Sequence, residues 1–463
     1  MYKKFFIGII SYLFLFSVLS VFPQSVVQQD DKKQMETAKT LVAEGDVFYR
    51  AKNYKAAIDK YERATIFVLN YPYAYFSMGY SYYNLGNYPK AVEALNIALK
   101  QGYKPKDVYG IRWQAYYVNR EYDKALIDTQ AAISLEPTNS YFYLASGQIY
   151  HEKGSYPQAV AAYKKSIELG TTNPDANYYL ARSYNKSGDL TQQGLAAVEA
   201  VKKGTKFTGE SWDLIGQALQ FNKKPEQAVE AYERALIAKP DINEVYSFLS
   251  DTYRSLNRLD EAIATAKRGL RLFPNDGNFY TSLTWYYSLA DKPADAISAG
   301  QQAVKLLPNQ YMAYTNLCRA YNDYKLYPQA VETCTSALRL NPGDGESNFY
   351  LARAYDLQNK PEIATPYYRK AVDGMLKFTR GNPDYSDGFY LLGNAYYAEG
   401  KTSEAIAAYK RCLELSPKFS KARYNLGYLY YKAGDKISAR QQYNELQKTD
   451  TDLADKLLQA ISK

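Results

Sequence analysis

The chain repeats itself every 34 residues, and nothing else about it restricts its fold so much. Small residues stand at Gly45, Gly79, Gly147, Ala181, Gly216, Ser250, Cys318, Ala352, Gly393 and Gly427, most of them 34 apart or twice that. Three residues later an aromatic recurs, at Phe48, Tyr82, Tyr116, Tyr150, Tyr184, Tyr253, Tyr287, Tyr321, Tyr355, Tyr396 and Tyr430, broken only by Leu219. Twelve residues after the small position comes alanine, from Ala57 and Ala91 to Ala405 and Ala439, with Gln193 the exception. Pro137, Pro240, Pro274, Pro308, Pro342 and Pro417 end half of the units. At 463 residues an aperiodic chain would form two or three globular domains; a periodic one stacks like units instead.

The pattern inside one unit is helical. Leu or Met just before the small residue, with aromatics on either side at helical spacing, makes a single apolar stripe. A glycine or alanine in that stripe lets two helix backbones come close. Leu85-Gly86-Asn87 and Lys153-Gly154-Ser155 read as turns between helices. No unit buries its stripe alone, so the core forms only between neighbours.

One unit quoted whole is YFSMGYSYYNLGNYPKAVEALNIALKQG, from Tyr75 to Gly102. Tyr75, Met78, Gly79 and Tyr82 mark its first helix, and Ala91, Leu95 and Ala98 its second. This resembles the tetratricopeptide repeat (TPR) family, whose unit is two antiparallel helices in 34 residues. The resemblance implies an all-α TPR-type α-solenoid, a right-handed superhelix of antiparallel helix pairs whose first helices line a concave groove. Twelve units are predicted: 1–5 over residues 38–207, 6–10 over 208–385, and 11–12 over 386–451. Residues 452–463, with Leu453, Leu457, Leu458 and Ile461 on one stripe, are predicted to be a C-terminal capping helix.

Three departures stand out. Trp113 fills the small position of the third unit, which predicts a displaced helix pair or a local shift of phase. The step from Ala181 to Gly216 is 35 residues. The step from Ala352 to Gly393 is 41, an insertion of seven near residues 373–386 that is expected to lengthen the second helix before a turn at Gly381-Asn382-Pro383.

Lys3 and Lys4 precede an uncharged apolar run from Phe5 to Phe22. Residues 1–25 read as a signal peptide, or as an uncleaved anchor that associates with the membrane through residues 5–22, and 26–37 as a linker. Either outcome exports the rest of the chain, to the periplasm or the envelope. The first cysteine is Cys318, which excludes a lipoprotein anchor near the N-terminus. The formal charge of +9 is spread along the chain, which argues against nucleic acid as a partner.

Chemistry has little room. The repeats leave no stretch for a catalytic domain, so the protein reads as non-catalytic, with no cofactor. His151 is the only histidine and has no partners for a metal site. Cys318 and Cys334 fall on the facing first and second helices of one unit, in packing positions; buried thiols are expected there rather than a disulfide. Cys412 occupies an alanine-type packing site.

Tyrosine, at 50 residues, carries the remaining information. Four scaffold positions account for 27 of these and belong to the core. Others fall where groove residues fall in the family: Tyr49, Tyr73, Tyr80, Tyr83, Tyr117, Tyr141 and Tyr178 early, and Tyr390, Tyr397, Tyr424, Tyr428 and Tyr431 late. Between them the same positions turn polar, at Arg182, Asn185, Lys186, Asp251, Arg254, Arg319, Asn322, Asp323, Arg353 and Asp356. Such a groove suits a peptide or a partner helix from another protein. The rival readings are a structural protein that self-assembles into homo-oligomers, and a protein whose tyrosines stack on carbohydrate.

Overall fold

A computed structural model of the protein describes residues 24–462, and within these there are twenty-five helices and no strand. The apolar run of residues 5–22 lies outside the described residues. No helix among those described is long and apolar enough to cross a membrane. The chain forms two compact units, divided after Lys206.

In the first unit α1 (Gln24–Arg50) pairs with α2 (Tyr54–Phe67), and α3 (Pro72–Asn84) with α4 (Tyr88–Lys100). α5 (Pro105–Val118) pairs with α6 (Tyr122–Leu135), α7 (Ser140–Glu152) with α8 (Tyr156–Glu168), and α9 (Ala176–Ser187) with α10 (Leu190–Lys202). In the second unit the pairs begin with α11 (Thr208–Phe221) and α12 (Pro225–Ala238), then α13 (Asn243–Ser255) and α14 (Leu259–Leu272). They continue with α15 (Gly277–Leu289) and α16 (Pro293–Leu306), and α17 (Tyr311–Asp323) and α18 (Tyr327–Leu340). The last are α19 (Gly345–Asp356) with α20 (Pro361–Gly381), α21 (Ser386–Ala398) with α22 (Thr402–Leu415), and α23 (Ser420–Lys432) with α24 (Lys436–Gln447). α25 (Thr451–Ile461) then lays Leu457 and its neighbours over Tyr443 and Leu446, closing the open end of the last pair.

Each turn within a pair has one backbone requirement. Seven residues beyond every small position the chain is left-handed, at Gly86, Gly154, Gly188, Gly400 and Gly434, but also at Lys52, Arg120, Lys223, Asn257, Asp291, Lys325 and Asn359, with φ between 55° and 62° in the non-glycines. One such residue reverses the chain after the first helix. Asn53, Asn87, Asp189 and Asp435 then accept from backbone amides at the start of the next helix. Residues 26–37, expected as a linker, lie within α1, where no glycine or proline occurs between Gln24 and Gly45.

Within several pairs the small residue faces the side chain sixteen positions on, while Gly427 of the last pair is met instead by Leu457 of α25. A methyl on Gly45 would meet Tyr61 at 2.6 Å, on Gly147 Tyr163 at 2.6 Å, on Gly216 Tyr232 at 2.4 Å, and on Gly393 Tyr409 at 2.5 Å. Those four tyrosines are among the largest fully buried side chains. Three of them tie their hydroxyls back to the facing first helix: Tyr61 to Asp46, Tyr232 to Gln220 and Tyr409 to Asn394, each at 2.7 Å. Glycine on one helix and tyrosine on the other together fill one contact.

The same exchange explains Trp113. The residue sixteen positions on is Thr129, fully buried, so volume moves from the second helix to the first, and α5 and α6 keep the lengths of their neighbours. No shift of phase is needed. It also corrects the reading of the cysteines. Cys318 and Cys334 occupy this facing pair with a Cα–Cα distance of 5.4 Å, and they form a disulfide. Cys412 stays free and buried. The seven extra residues of the tenth repeat lie in α20, which runs for 21 residues to Gly381. Its crossing with α19 is close: a methyl on Gly374 would strike the backbone of Gly343 and Gly345 at 2.6 Å.

A methyl at position 216 should therefore destabilise the protein. Gly216→Ala is expected to cost about 1–3 kcal/mol by overpacking against Tyr232, measured by urea denaturation. The double variant with Tyr232→Ala recreates the Ala181/Ala197 combination found in the fifth repeat. It should cost less than the two single substitutions summed, whereas additive costs would mean the two residues are not in contact.

Candidate functional site

The first unit carries a row of aromatic rings. Tyr49 on α1 lies 5.3 Å from Tyr80 on α3, and Tyr80 lies 6.5 Å from Tyr83. Phe76 joins Tyr80 at 6.3 Å and stacks on Tyr103 at 4.4 Å, and Tyr73 reaches Tyr103 at 6.2 Å. Further on, Trp113 touches Tyr117 at 6.2 Å and Tyr141 at 6.0 Å. Polar tips hold the rows together: Tyr83 donates to Gln114 Oε1 at 2.9 Å, and Asn84 donates to the Tyr49 hydroxyl at 3.2 Å. Tyr49, Tyr80, Tyr83 and Tyr117 are half-buried, while Tyr141 keeps 43 % of its surface exposed. Burial raises the Tyr83 and Tyr117 phenols and pushes that of Tyr141 up to about 12, so all three remain hydrogen-bond donors at neutral pH.

Beyond this row the first unit turns polar. Tyr178 is buried beside Tyr179, with the Arg182 guanidinium 5.9 Å from its ring. Asn185 donates to Gln193 Oε1 at 2.9 Å, joining α9 to α10. His151 is buried, with Nδ1 2.8 Å from Ser183 Oγ, which itself donates to the Tyr179 carbonyl. Burial lowers its pKa, so it packs as a neutral ring, and among the described residues no carboxylate hydrogen-bonds to it as a catalytic base would require.

In the second unit the polar residues meet across long stretches of chain. Arg254 on α13 donates from Nη1 to Asp387 of α21 at 3.0 Å and from Nε to Asp251 at 2.9 Å. Its guanidinium also lies 4.2 Å from the Trp285 ring, and its side chain is 8 % exposed. A second tie joins Lys421 of α23 to the Leu289 carbonyl of α15 at 3.4 Å, and a third pairs Lys223 with Asp384 at 3.8 Å. The seventh repeat thus touches the eleventh, and the eighth touches the twelfth. The inner face of this unit is closed on itself.

The closure encloses a cavity of about 670 Å³ lined by residues from Trp285 to Lys421. Arg319 enters it from α17, ion-paired to Glu346, with its guanidinium 5.2 Å from the Tyr350 ring. Asn322 is spent as a clip, donating to the carbonyls of Cys318 at 3.1 Å and Tyr350 at 3.2 Å. Arg353 is exposed to the cavity. Tyr390 lines the wall, packed on Phe419 at 5.0 Å and Tyr409 at 6.1 Å. Toward the end of the chain Tyr424 and Tyr428 pack against the cluster that α25 completes. Tyr397 is exposed and Tyr431 half-buried.

Trp285, Asp387, Tyr385 and Lys421 take part in this enclosure and carry no mark in the sequence. Arg254 and Asp387 are 133 residues apart, and a repeat read one unit at a time holds no information about which distant units meet. Among the described residues no group of acidic, histidine and cysteine side chains could hold a metal ion.

Three family models match the sequence. One described as a TPR repeat covers residues 45–86, 147–188 and 393–434. Two described as tetratricopeptide repeats cover 76–139 and 214–277, and 420–452. No curated protein matches. Among solved structures, yeast Tom70 is 17% identical, with 92% of this chain and 94% of that one covered at a TM-score of 0.40. The C-terminal part of a TPR repeat-containing protein from Cytophaga hutchinsonii is 19% identical, over 60% of this chain and 99% of that one, at 0.41. YrrB, described as a TPR protein with an unusual peptide-binding site, is 17% identical over 40% of this chain and 95% of that one, at 0.37.

One carboxylate near the start of the second unit predicts a pH dependence. Asp213 has a buried Oδ1 with no hydrogen-bond partner, and burial, reinforced by Glu244 and Glu210, raises its pKa to about 6. The folded state therefore binds a proton that the unfolded state has released, and stability should fall as pH rises from about 4 to 6. Asp213→Asn is expected to remove that fall and to add about 1–3 kcal/mol at pH 7.5. Urea denaturation at several pH values checks it.

Proposed function

Because this chain belongs to the tetratricopeptide repeat family, we propose that it is a non-catalytic scaffold that holds another protein on the aromatic face of its first unit. The observation that carries this reading is the set of half-exposed rings Tyr49, Tyr80, Tyr83, Tyr117 and Tyr141, the last two packed on the buried Trp113. Rigid aromatic side chains lose little entropy on binding and offer large contact areas. An extended peptide or the apolar face of a helix would use such a surface.

The location proposed is the bacterial envelope. Lys3 and Lys4 ahead of the apolar run from Phe5 to Phe22 support export, and the Cys318–Cys334 disulfide suits an oxidising compartment.

Crosslinking and recovery of partners from envelopes tests the reading. The variant Tyr80→Ala plus Tyr83→Ala, confirmed as folded by circular dichroism, should lose the partners that the native chain recovers. Recovery of the same partners in the same yield would show that this face is not the site.

A further inference from the structure

The cavity of the second unit is not the open groove that a passing peptide needs. Its inner face is closed by Arg254 to Asp387 on one side and by Lys421 to the Leu289 carbonyl on the other. Its size, about 670 Å³, is that of a small-molecule pocket.

The charges along its wall are unevenly satisfied. Glu346 is paired with Arg319, Asp387 with Arg254, and Asp344 is spent on the N-terminus of α19, accepting from the Ser347 amide at 2.8 Å. What remains is one carboxylate, Asp323, and the cationic heads of Arg353, Lys377 and Lys421, with no ion pair between them among the described residues; Lys421 spends one donor on the Leu289 carbonyl. Burial raises the pKa of Asp323 and lowers that of Lys421, as expected where charges are withdrawn from water without close partners. Arg319 is 7 % exposed, and its Nε is buried with no hydrogen-bond partner. Beside these donors stand the rings of Trp285, Tyr350 and Tyr390.

We infer that this cavity binds a small organic acid in its ionised form, its carboxylate held by Arg353 and Lys421 and its aromatic or aliphatic body lying against Trp285, Tyr350 and Tyr390. Arg353, Lys377 and Lys421 against the one unpaired carboxylate Asp323 leave an excess of positive charge on the wall, and a guanidinium is suited to a carboxylate in the two-pronged geometry. The rings supply area for the rest of the ligand. This site is separate from the aromatic face of the first unit and does not depend on what that face holds.

Isothermal titration of the folded full-length chain tests it with phenylacetate, indole-3-acetate and hexanoate, each beside its neutral amide. At least one acid should bind with a stoichiometry of one. Its amide should bind about tenfold more weakly or worse, as loss of a charge-assisted contact requires. Arg353→Gln should weaken the acid by about tenfold or more, and Lys421→Gln should do likewise. The Arg353 side chain makes no ion pair or hydrogen bond among the described residues, so its variant is expected to keep the fold, which circular dichroism checks. Tyr80→Ala plus Tyr83→Ala should leave binding of the acid unchanged. Absence of binding by all three acids, equal binding of acid and amide, or undiminished binding in Arg353→Gln would each overturn the assignment.

Discussion

Everything in this protein rests on how the two helices of a repeat divide one fixed volume. Where the first helix contributes glycine, a large buried side chain fills the space, a tyrosine of the second helix at Gly147 and Tyr163 or Gly216 and Tyr232, and Leu95 opposite Gly79. Where the first contributes tryptophan, at Trp113, the second contributes threonine. Each repeat has only this contact and its neighbours to bury its apolar stripe, so the division cannot fail in one unit without exposing the next.

The division also varies along the chain, and the form of the inner face varies with it. In the seventh to ninth repeats both members are small: Ser250 with Ala266, Thr284 with Gly300, and Cys318 with Cys334. Gly300 lets Leu317 approach to where a methyl would stand at 2.8 Å from it. In this same stretch successive first helices α15, α17 and α19 touch one another most extensively. Close-set helices on the inner side turn the stack more sharply, which brings Arg254 to Asp387. The first unit uses large partners in its first, second and fourth repeats, at Tyr61, Leu95 and Tyr163, and presents half-buried rings on one face. One repeat pattern therefore gives two kinds of surface, an aromatic row that suits a protein segment and an enclosed polar chamber that suits a small ligand.

The helices and their turns are legible in the sequence because the forces that set them are local. The 34-residue period, the small position and the turn residues specify helix, reversal and helix without reference to distant chain. The aromatic row is legible for the same reason: Tyr80, Tyr83 and Tyr117 follow from their places in single repeats. The roles of Arg254, Arg319 and Asn322 are different. Their positions mark them as inner-face residues, but whether they are free or occupied depends on Asp387, Glu346 and the Tyr350 carbonyl. Asp387 is reached only by summing small rotations over several repeats, and no residue type records that sum. The cysteines lie between these cases. Their facing positions can be read from the spacing, but the closeness that makes a disulfide comes from two small side chains in one contact.

The closure of the second unit is the claim on which the chamber stands, and a distance measured across it tests that claim most directly. Lys223 and Asp384 lie on either side of the seam, both exposed and paired at 3.8 Å. Spin labels placed by Lys223→Cys and Asp384→Cys, in a chain whose buried Cys412 is replaced by serine, allow that distance to be read by pulsed electron paramagnetic resonance. The closed unit predicts one narrow, short distance of the kind given by labels on touching residues. A long or broadly spread distance would show an open inner face and would contradict the account.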